Sequence, residues 1–542
     1  MRGLIMDRPL LISSLIQHVD LVSGDREIVA RTVEGPIHRY TYRDAHTRSR
    51  QLANALTGLG VRLGDRIATM AWNTHRHFEI YFAVSGMGAI THTLNPRLHP
   101  SLLTYIANHA EDSYIFADAN LVPLIEAVAD DLTSLKGVIV MTDKAYMPKT
   151  NIDNLLCYEE LIDNYSDDFD WPEFDENTAS SLCYTSGTSG NPKGALYSNR
   201  STIIHAYAGA LPDILNLGES EVVLPVVPMF HANAWGIPYS ATLAGSKLVF
   251  PGPLLDGTSI HELLVSENVT FAAGVPTVWL ALLNYWREAN TCAPTLKRTI
   301  IGGSACPQSM IEAFQEEFGV EVRHAWGMTE MSPLGSVSLI KPSQKNASSE
   351  EKYRKQIKQG RPVYGVEVKI VDDDGKELPQ DGVAFGELQV RGPWITSSYF
   401  RLASSEAHGD DGWFATGDVC TIDEDGYIEI TDRAKDVIKS GGEWISSIEL
   451  ENVAMGHPDV LQAAVIGVAH PKWDERPLLI VVPAPDKQPT LKDLTGYLSD
   501  KIAKSWLPDD MVLVDELPLG PTGKVLKTNL RENFGDYKLP TA

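Results

Sequence analysis

The strongest constraint on the fold is a repeated alternation. Apolar runs of strand length, RIATMAW (66–72), AITHTLN (89–95), SYIFAD (113–118) and GVIVMTD (137–143), are separated by helical patterns such as HFEIYFAVSGMG (77–88) and LVPLIEAVADDL (121–132). The pattern returns with VVLPVVP (222–228), KLVFP (247–251), VTFAAGVP (269–276) and RTIIGG (298–303). Strands alternating with helices predict largely parallel sheets covered by helices, hence an α/β fold.

Beyond about residue 340 the texture changes. KPSQKNASSEEKYRKQIKQG (341–360) is polar and reads as an exposed loop or linker. VEVKIVDDDGKEL, GELQVRG and TIDEDGYIEI then alternate around Asp-Gly turns, which predicts antiparallel strands. The last hundred residues return to mixed patterning: helices in ISSIELENVAM and LKDLTGYLSDKI, strands in QAAVIGVA and PLLIVVPA. A domain boundary is placed near TDRAKDVIKSGG (431–442).

Composition narrows the partners. The net charge of −25 opposes general affinity for nucleic acid or an anionic membrane. No apolar stretch reaches the ~18 residues needed to span a bilayer, and PLLISSLIQHV (9–19) reads as an amphipathic helix rather than a signal peptide. Five cysteines, without metal-ligand or CxxC spacing, suit free thiols in a reducing cytoplasm.

The chemistry concentrates in YTSGTSGNPKGALYS (184–198). Glycines let backbone N–H groups converge into a nest for an anion. Thr185, Ser186, Thr188 and Ser189, interleaved with Gly187 and Gly190, add hydroxyl donors, and Lys193 adds a point charge. The stretch suits a polyphosphate. It is not the P-loop G-x-x-x-x-G-K-[ST], because Pro192 precedes Lys193 and Gly194 follows it. On composition alone, a flexible Gly/Ser loop stands beside the phosphate reading.

Five motifs in order carry a resemblance: TSGTSGNPKG, AWGMTEMSP (325–333), WFATGD (413–418), DRAKDVIKSGGEWIS (432–446) and PTGKVLK (521–527). Together they resemble the adenylate-forming enzymes, which include acyl-CoA synthetases, luciferases and adenylation domains. Longer stretches such as FHANAWGIPYSA resemble the branches acting on 3-methylmercaptopropionate and medium-chain fatty acids. The resemblance implies a large N-terminal domain (1–434) of stacked mixed sheets with a β-barrel-like portion, and a small mobile α+β C-terminal domain (435–542). The implied reaction forms an acyl-adenylate from a carboxylate and ATP, then passes the acyl group to coenzyme A.

The resemblance also distributes roles. Glu330 pairs with the Thr185 hydroxyl around Mg²⁺. Trp326, where relatives more often carry Tyr, faces adenine. Gly303, Ser304 and Ala305 form the other wall, flanked by His324, Ala325, Gly327, Met328 and Thr329. Asp418 accepts from the ribose hydroxyls, and Arg433 holds ribose or phosphate. Lys524 serves the adenylation half-reaction, Lys435 is the hinge, and Lys439 and Trp444 touch nucleotide in one of two poses. Gly441, Gly442 and Glu443 border the coenzyme A tunnel. His231 gates the acyl pocket, which Trp235, Gly302, Gly327 and Pro333 also line. Trp235, four residues after His231 and so on one face of a helical turn, is either a wall or a gate. Lys527 reads as a surface lysine, and Asn199, where relatives show His, as of little consequence. A homodimer is implied as well. Competing readings are a luciferase-like oxygenase, an enzyme loading a carrier protein (no carrier domain follows Ala542) and a non-catalytic adenylate or acyl-CoA sensor, against which the presence of Lys524 and Glu330 argues.

Overall fold

A computed structural model describes the chain except residues 2, 186–190, 373, 404, 406, 410, 434–435, 441–442, 500 and 521–524; of residues 432, 433, 439, 443 and 444 it describes the backbone only. The predicted alternation builds two large sheets. One has seven strands, with Arg66–Met70, Ile90–Thr93, Tyr114–Ala117 and Gly137–Val140 parallel within it (Ile67 opposite Thr91, Ala68 opposite Ile115) and Ala179–Tyr184 and Gly194–Ser198 forming an antiparallel edge. The other has nine strands, including Val222–Pro225, Lys247–Phe250, Phe271–Gly274, Arg298–Ile301 and Glu321–Gly327 in parallel register. Parallel strands are buried on both faces, and those of the seven-stranded sheet are almost continuously so.

Helix His75–Gly86, buried along its whole length, carries Phe78, Tyr81 and Phe82 into the largest core cluster, where the strand residues Ile28, Val223 and Phe250 meet them. Where the resemblance implies a barrel-like portion stands an open four-stranded antiparallel sheet, Glu367–Val371, Phe385–Arg391, Phe414–Ile422 and Ile428–Arg433, adjacent in chain order. Towards the C-terminus a five-stranded sheet built on the hairpin Val460–His470 and Asp474–Pro483 has hydrophobic clusters on its two faces.

Three expectations need correction. The polar stretch 341–360 contains a helix, Ser349–Gln356. It starts at a capping box between Ser348 and Glu351, and it buries Tyr353, whose hydroxyl donates to Glu316 at 2.6 Å. The helix expected over 121–132 is only Val122–Glu126 flanked by 3₁₀ turns. Asn199 is a structural joint: its Oδ1 accepts from Ile12 N at 3.1 Å and its Nδ2 donates to Thr178 O at 3.0 Å, docking helix Ile12–Ser23.

His77 is fully buried, between Trp72 O (3.0 Å from Nδ1) and the Thr69 hydroxyl (2.9 Å from Nε2), and burial pulls its pKa down to about 4. The unfolded chain therefore takes up this proton between about pH 6.5 and 4 while the native one does not. Stability falls as pH drops through that window, His77 accounting for an effect on the order of a few kcal/mol. Melting temperatures from pH 7.5 to 4 should show a shallower acid slope in His77→Gln than in the parent; identical slopes would contradict the assignment.

Candidate active site

Site residues follow the carboxyl ends of strands, where α/β sheets bind ligands. Thr185 follows Ala179–Tyr184, His231 comes six residues after Val222–Pro225, Gly302 follows Arg298–Ile301, and Met328 follows Glu321–Gly327. The strands on either side of the glycine-rich loop pair antiparallel, Tyr184 opposite Gly194. At the stem Thr185 N donates to Lys193 O at 2.9 Å and Lys193 N to the Thr185 hydroxyl at 3.2 Å. The Lys193 ammonium lies 5.0 Å from the centre of the Tyr399 ring.

Gly327 marks the tightest point. A Cβ there would stand 1.8 Å from Pro333 O, so only glycine allows the two backbones to cross. The crossing presents Trp326 and Glu330. Trp326 Nε1 donates to the buried Asp418 carboxylate at 3.0 Å, and the indole's six-membered ring lies close to Gly335, where a Cβ would come within 2.6 Å of it. Glu330, also buried, accepts from the Tyr399 hydroxyl at 2.7 Å. Burial, with the Glu330 carboxylate beside it, raises the Tyr399 phenol's pKa and keeps it a donor. Phe400 N donates to Gly194 O at 2.8 Å, and Arg401 reaches His109 O at 2.9 Å and Glu111 at 2.6 Å. Residues 399–401 thus strap the loop stem to Glu330.

The segment after His231 departs from expectation. Ala232, Asn233, Ala234 and Trp235 have φ of 43°, 53°, 50° and 57°, and Gly236 follows at 71°. This is a left-handed turn, so the four-residue spacing does not put His231 and Trp235 on one face of an ordinary helix. Left-handed geometry costs on the order of 1–2 kcal/mol per non-glycine residue. Asn233 holds it: Nδ2 donates to the Ser181 hydroxyl at 2.9 Å, and Oδ1 accepts from Tyr81 at 3.3 Å. The Trp235 indole lies against Gly302, where a Cβ would come within 3.2 Å of it.

A cavity of 1460 Å³ is lined by Thr185, Lys193, His231, Trp235, residues 302–305 and 324–330, Pro333 and Asp418, together with Ile448, Met455 and other residues of the C-terminal part. His324 is buried, its Nδ1 3.0 Å from Ile357 O, and burial lowers its pKa. Ser186, Gly187, Thr188, Ser189, Gly190, Lys435, Gly441, Gly442 and Lys524 lie outside the described residues. Arg433 is placed by its backbone opposite Asp418, and Lys439 opposite Trp444, next to Glu443. Lys527 is not a surface lysine: its side chain is 12% exposed and pairs with Glu451 at 2.7 Å. Tyr399 escaped the sequence reading because two adjacent aromatics in SSYFR carry no spacing signal.

Among the described residues no cluster of three or more acidic, His or Cys side chains could hold a metal. Among the residues lining the cavity, Glu330 offers a carboxylate and Thr185 a hydroxyl beside the stem of the glycine-rich loop. That donor set fits Mg²⁺, which binds through one or two carboxylates plus substrate phosphates.

This architecture is that of an α/β enzyme whose cavity is lined by the stem of a glycine-rich loop and by Trp326. The AMP-binding enzyme family matches residues 18–400, and the AMP-binding enzyme C-terminal domain matches 449–524. The chain is 51% identical to the 3-methylmercaptopropionyl-CoA ligase of Ruegeria lacuscaerulensis, with 99% of each covered. It is 48% identical to the medium-chain-fatty-acid–CoA ligase of Ectopseudomonas oleovorans, covering 99% of this chain and 98% of that one. Among solved structures it resembles the anthranilate CoA ligase AuaEII in complex with anthranoyl-AMP (TM-score 0.86, 25% identity, 97% of this chain and 98% of that chain). The chain belongs to the AMP-binding enzyme family.

Trp326→Phe keeps an aromatic face but removes the N–H that Asp418 accepts. A hydrogen bond to a charged group contributes about 1.5–3 kcal/mol, so if this bond orients the carboxylate for ribose, ATP affinity by calorimetry should fall by about tenfold or more, with Asp418→Ala weaker still. Unchanged affinity in both would remove Asp418 from the nucleotide site.

Proposed function

We propose that the chain is an AMP-forming ligase that joins a short- or medium-chain carboxylate, of the 3-methylmercaptopropionate or fatty acid type, to coenzyme A. The observation that carries this reading is one cavity lined both by Thr185, Lys193 and Glu330, suited to phosphates, and by His231, Trp235 and Gly302, suited to an acyl chain. The 48–51% identity to enzymes named for those two acids supports the substrate class.

In the first half-reaction a carboxylate oxygen forms a bond to the α-phosphorus, and the bond to pyrophosphate breaks. The protein's part is positioning and charge neutralisation. The loop hydroxyls and Lys193 hold the phosphates, Asp418 holds the ribose, and Trp326 with residues 303–305 holds the base. Lys524, brought in from the C-terminal domain, bridges the carboxylate and the nucleotide. Glu330 and Thr185 would hold Mg²⁺, which when bound would offset phosphate charge. Rotation at Lys435 then withdraws Lys524 and turns Gly441, Gly442 and Glu443 towards the site. The thiol attacks the acyl carbon, AMP leaves with the bonding pair of the acyl–oxygen bond, and His231 guards the opening. A cytoplasmic homodimer belongs to the same reading.

Pyrophosphate release measured with and without coenzyme A tests this. Thioester formed only with ATP, acid and coenzyme A supports the ligase; an adenylate that never transfers to coenzyme A supports carrier loading; nucleotide binding without turnover supports a sensor. Lys524→Ala should slow adenylation by about 100-fold or more while sparing thioester formation from supplied acyl-adenylate; equal loss in both halves would break the division of labour.

Trp235 against Gly302 suits a wall that limits chain length. Trp235→Ala should then raise kcat/KM for octanoate and longer acids relative to butyrate. Loss for every acid would instead make the indole a gate.

A further inference from the structure

We propose that His205 is a hydrogen-bond donor inside the acyl chamber, selecting acids that carry a sulfur or oxygen acceptor within the chain over their all-carbon isosteres. The inference rests on the ligase reading above and adds to it the chemical feature that the chamber recognises.

His205 lies on helix Asn199–Ala210, is 3% exposed and lines the cavity. The Leu334 N–H donates to its Nε2 at 3.3 Å, so Nε2 is the acceptor nitrogen. Burial brings the ring's pKa down to about 4, so it is neutral near pH 7. A neutral imidazole has one donor and one acceptor nitrogen, which puts the proton on Nδ1. Nδ1 makes no hydrogen bond to a described residue.

The ring sits between the two segments that hold the acyl-pocket residues. Nδ1 lies 2.7 Å from the place a Cβ on Gly236 would take, and Gly236 directly follows Trp235. Leu334, which anchors Nε2, directly follows Pro333. Trp394 stands edge-on to the ring with centroids 5.9 Å apart, fixing it from a further side. A second polar group packs against a lining residue, Gly209. Ser240 Oγ is fully buried, has no hydrogen-bond partner among the described residues, and lies 2.8 Å from where a Cβ on Gly209 would stand. Gly209 lines the same cavity, alongside the apolar Leu215 and Ile300.

A hydrocarbon tail would bury this N–H without a partner, and a buried donor left unmet is costly. A thioether or ether at the right depth accepts it. A pocket of purely apolar walls would have only shape with which to tell sulfur from methylene, whereas one built around a donor discriminates on chemistry.

The test uses matched acids: 3-methylmercaptopropionate, 3-methoxypropionate and pentanoate, which differ only in S, O or CH₂ at one position. The full-length protein should favour both heteroatom acids over pentanoate by about three- to ten-fold in kcat/KM, the range of one neutral hydrogen bond. His205→Leu should bring these ratios to about one while still activating pentanoate. His205→Asn, which keeps an amide N–H near the Nδ1 place, should retain part of the preference; His205→Gln, whose amide falls near the Nε2 place, should lose it. Equal use of all three acids by the parent enzyme, or a preference that survives in His205→Leu, overturns the proposal and leaves the ligase reading intact. Adenylation of none of the three by the parent enzyme overturns the ligase reading and this proposal with it.

Discussion

The crossing of Gly327 over the Pro333 carbonyl is the constraint on which the site depends. With a Cβ excluded at 1.8 Å, strand Glu321–Gly327 can turn back on itself as Leu334–Ser338, and Met328 N bonds Pro333 O at 3.1 Å. Everything hung on that turn inherits its placement. Trp326 meets Asp418 before the crossing, Glu330 meets Tyr399 within it, and Leu334 meets His205 after it. Three side-chain pairings around the cavity thereby inherit their placement from one backbone contact, because a packed interior transmits a local steric limit over several residues.

Much of this was legible in the residues. Parallel strands buried on both faces must read as short apolar runs, so RIATM, YIFA and RTII were recognisable, as were the Asp-Gly turns of the antiparallel sheet. The T-E and T-G-D segments stood out as short motifs, and Glu330 and Asp418 from them line one cavity. Helix Ser349–Gln356 was hidden by its polarity: it buries little besides Tyr353, and only its capping box betrays it. Lys527 was misread because a half-buried lysine paired with Glu451 looks in sequence like any other.

What the residues could not disclose is contact between distant segments. Tyr399 and Glu330 are 69 positions apart, Trp326 and Asp418 are 92, and His205 and Leu334 are 129. No local period or spacing encodes such pairs; they exist only once two sheets and the strap of residues 399–401 have been assembled. Local propensity was overridden most strongly at residues 232–236, where alanine and tryptophan, ordinary right-handed formers, are wound the other way.

That reverse-wound turn has a consequence for how the enzyme can be hardened against heat. Replacing Ala232 or Ala234 by glycine would relieve unfavourable backbone geometry and, at the same time, loosen the footing of the indole that closes on Gly302. Backbone strain and the placement of the Trp235 indole are therefore coupled at one five-residue stretch.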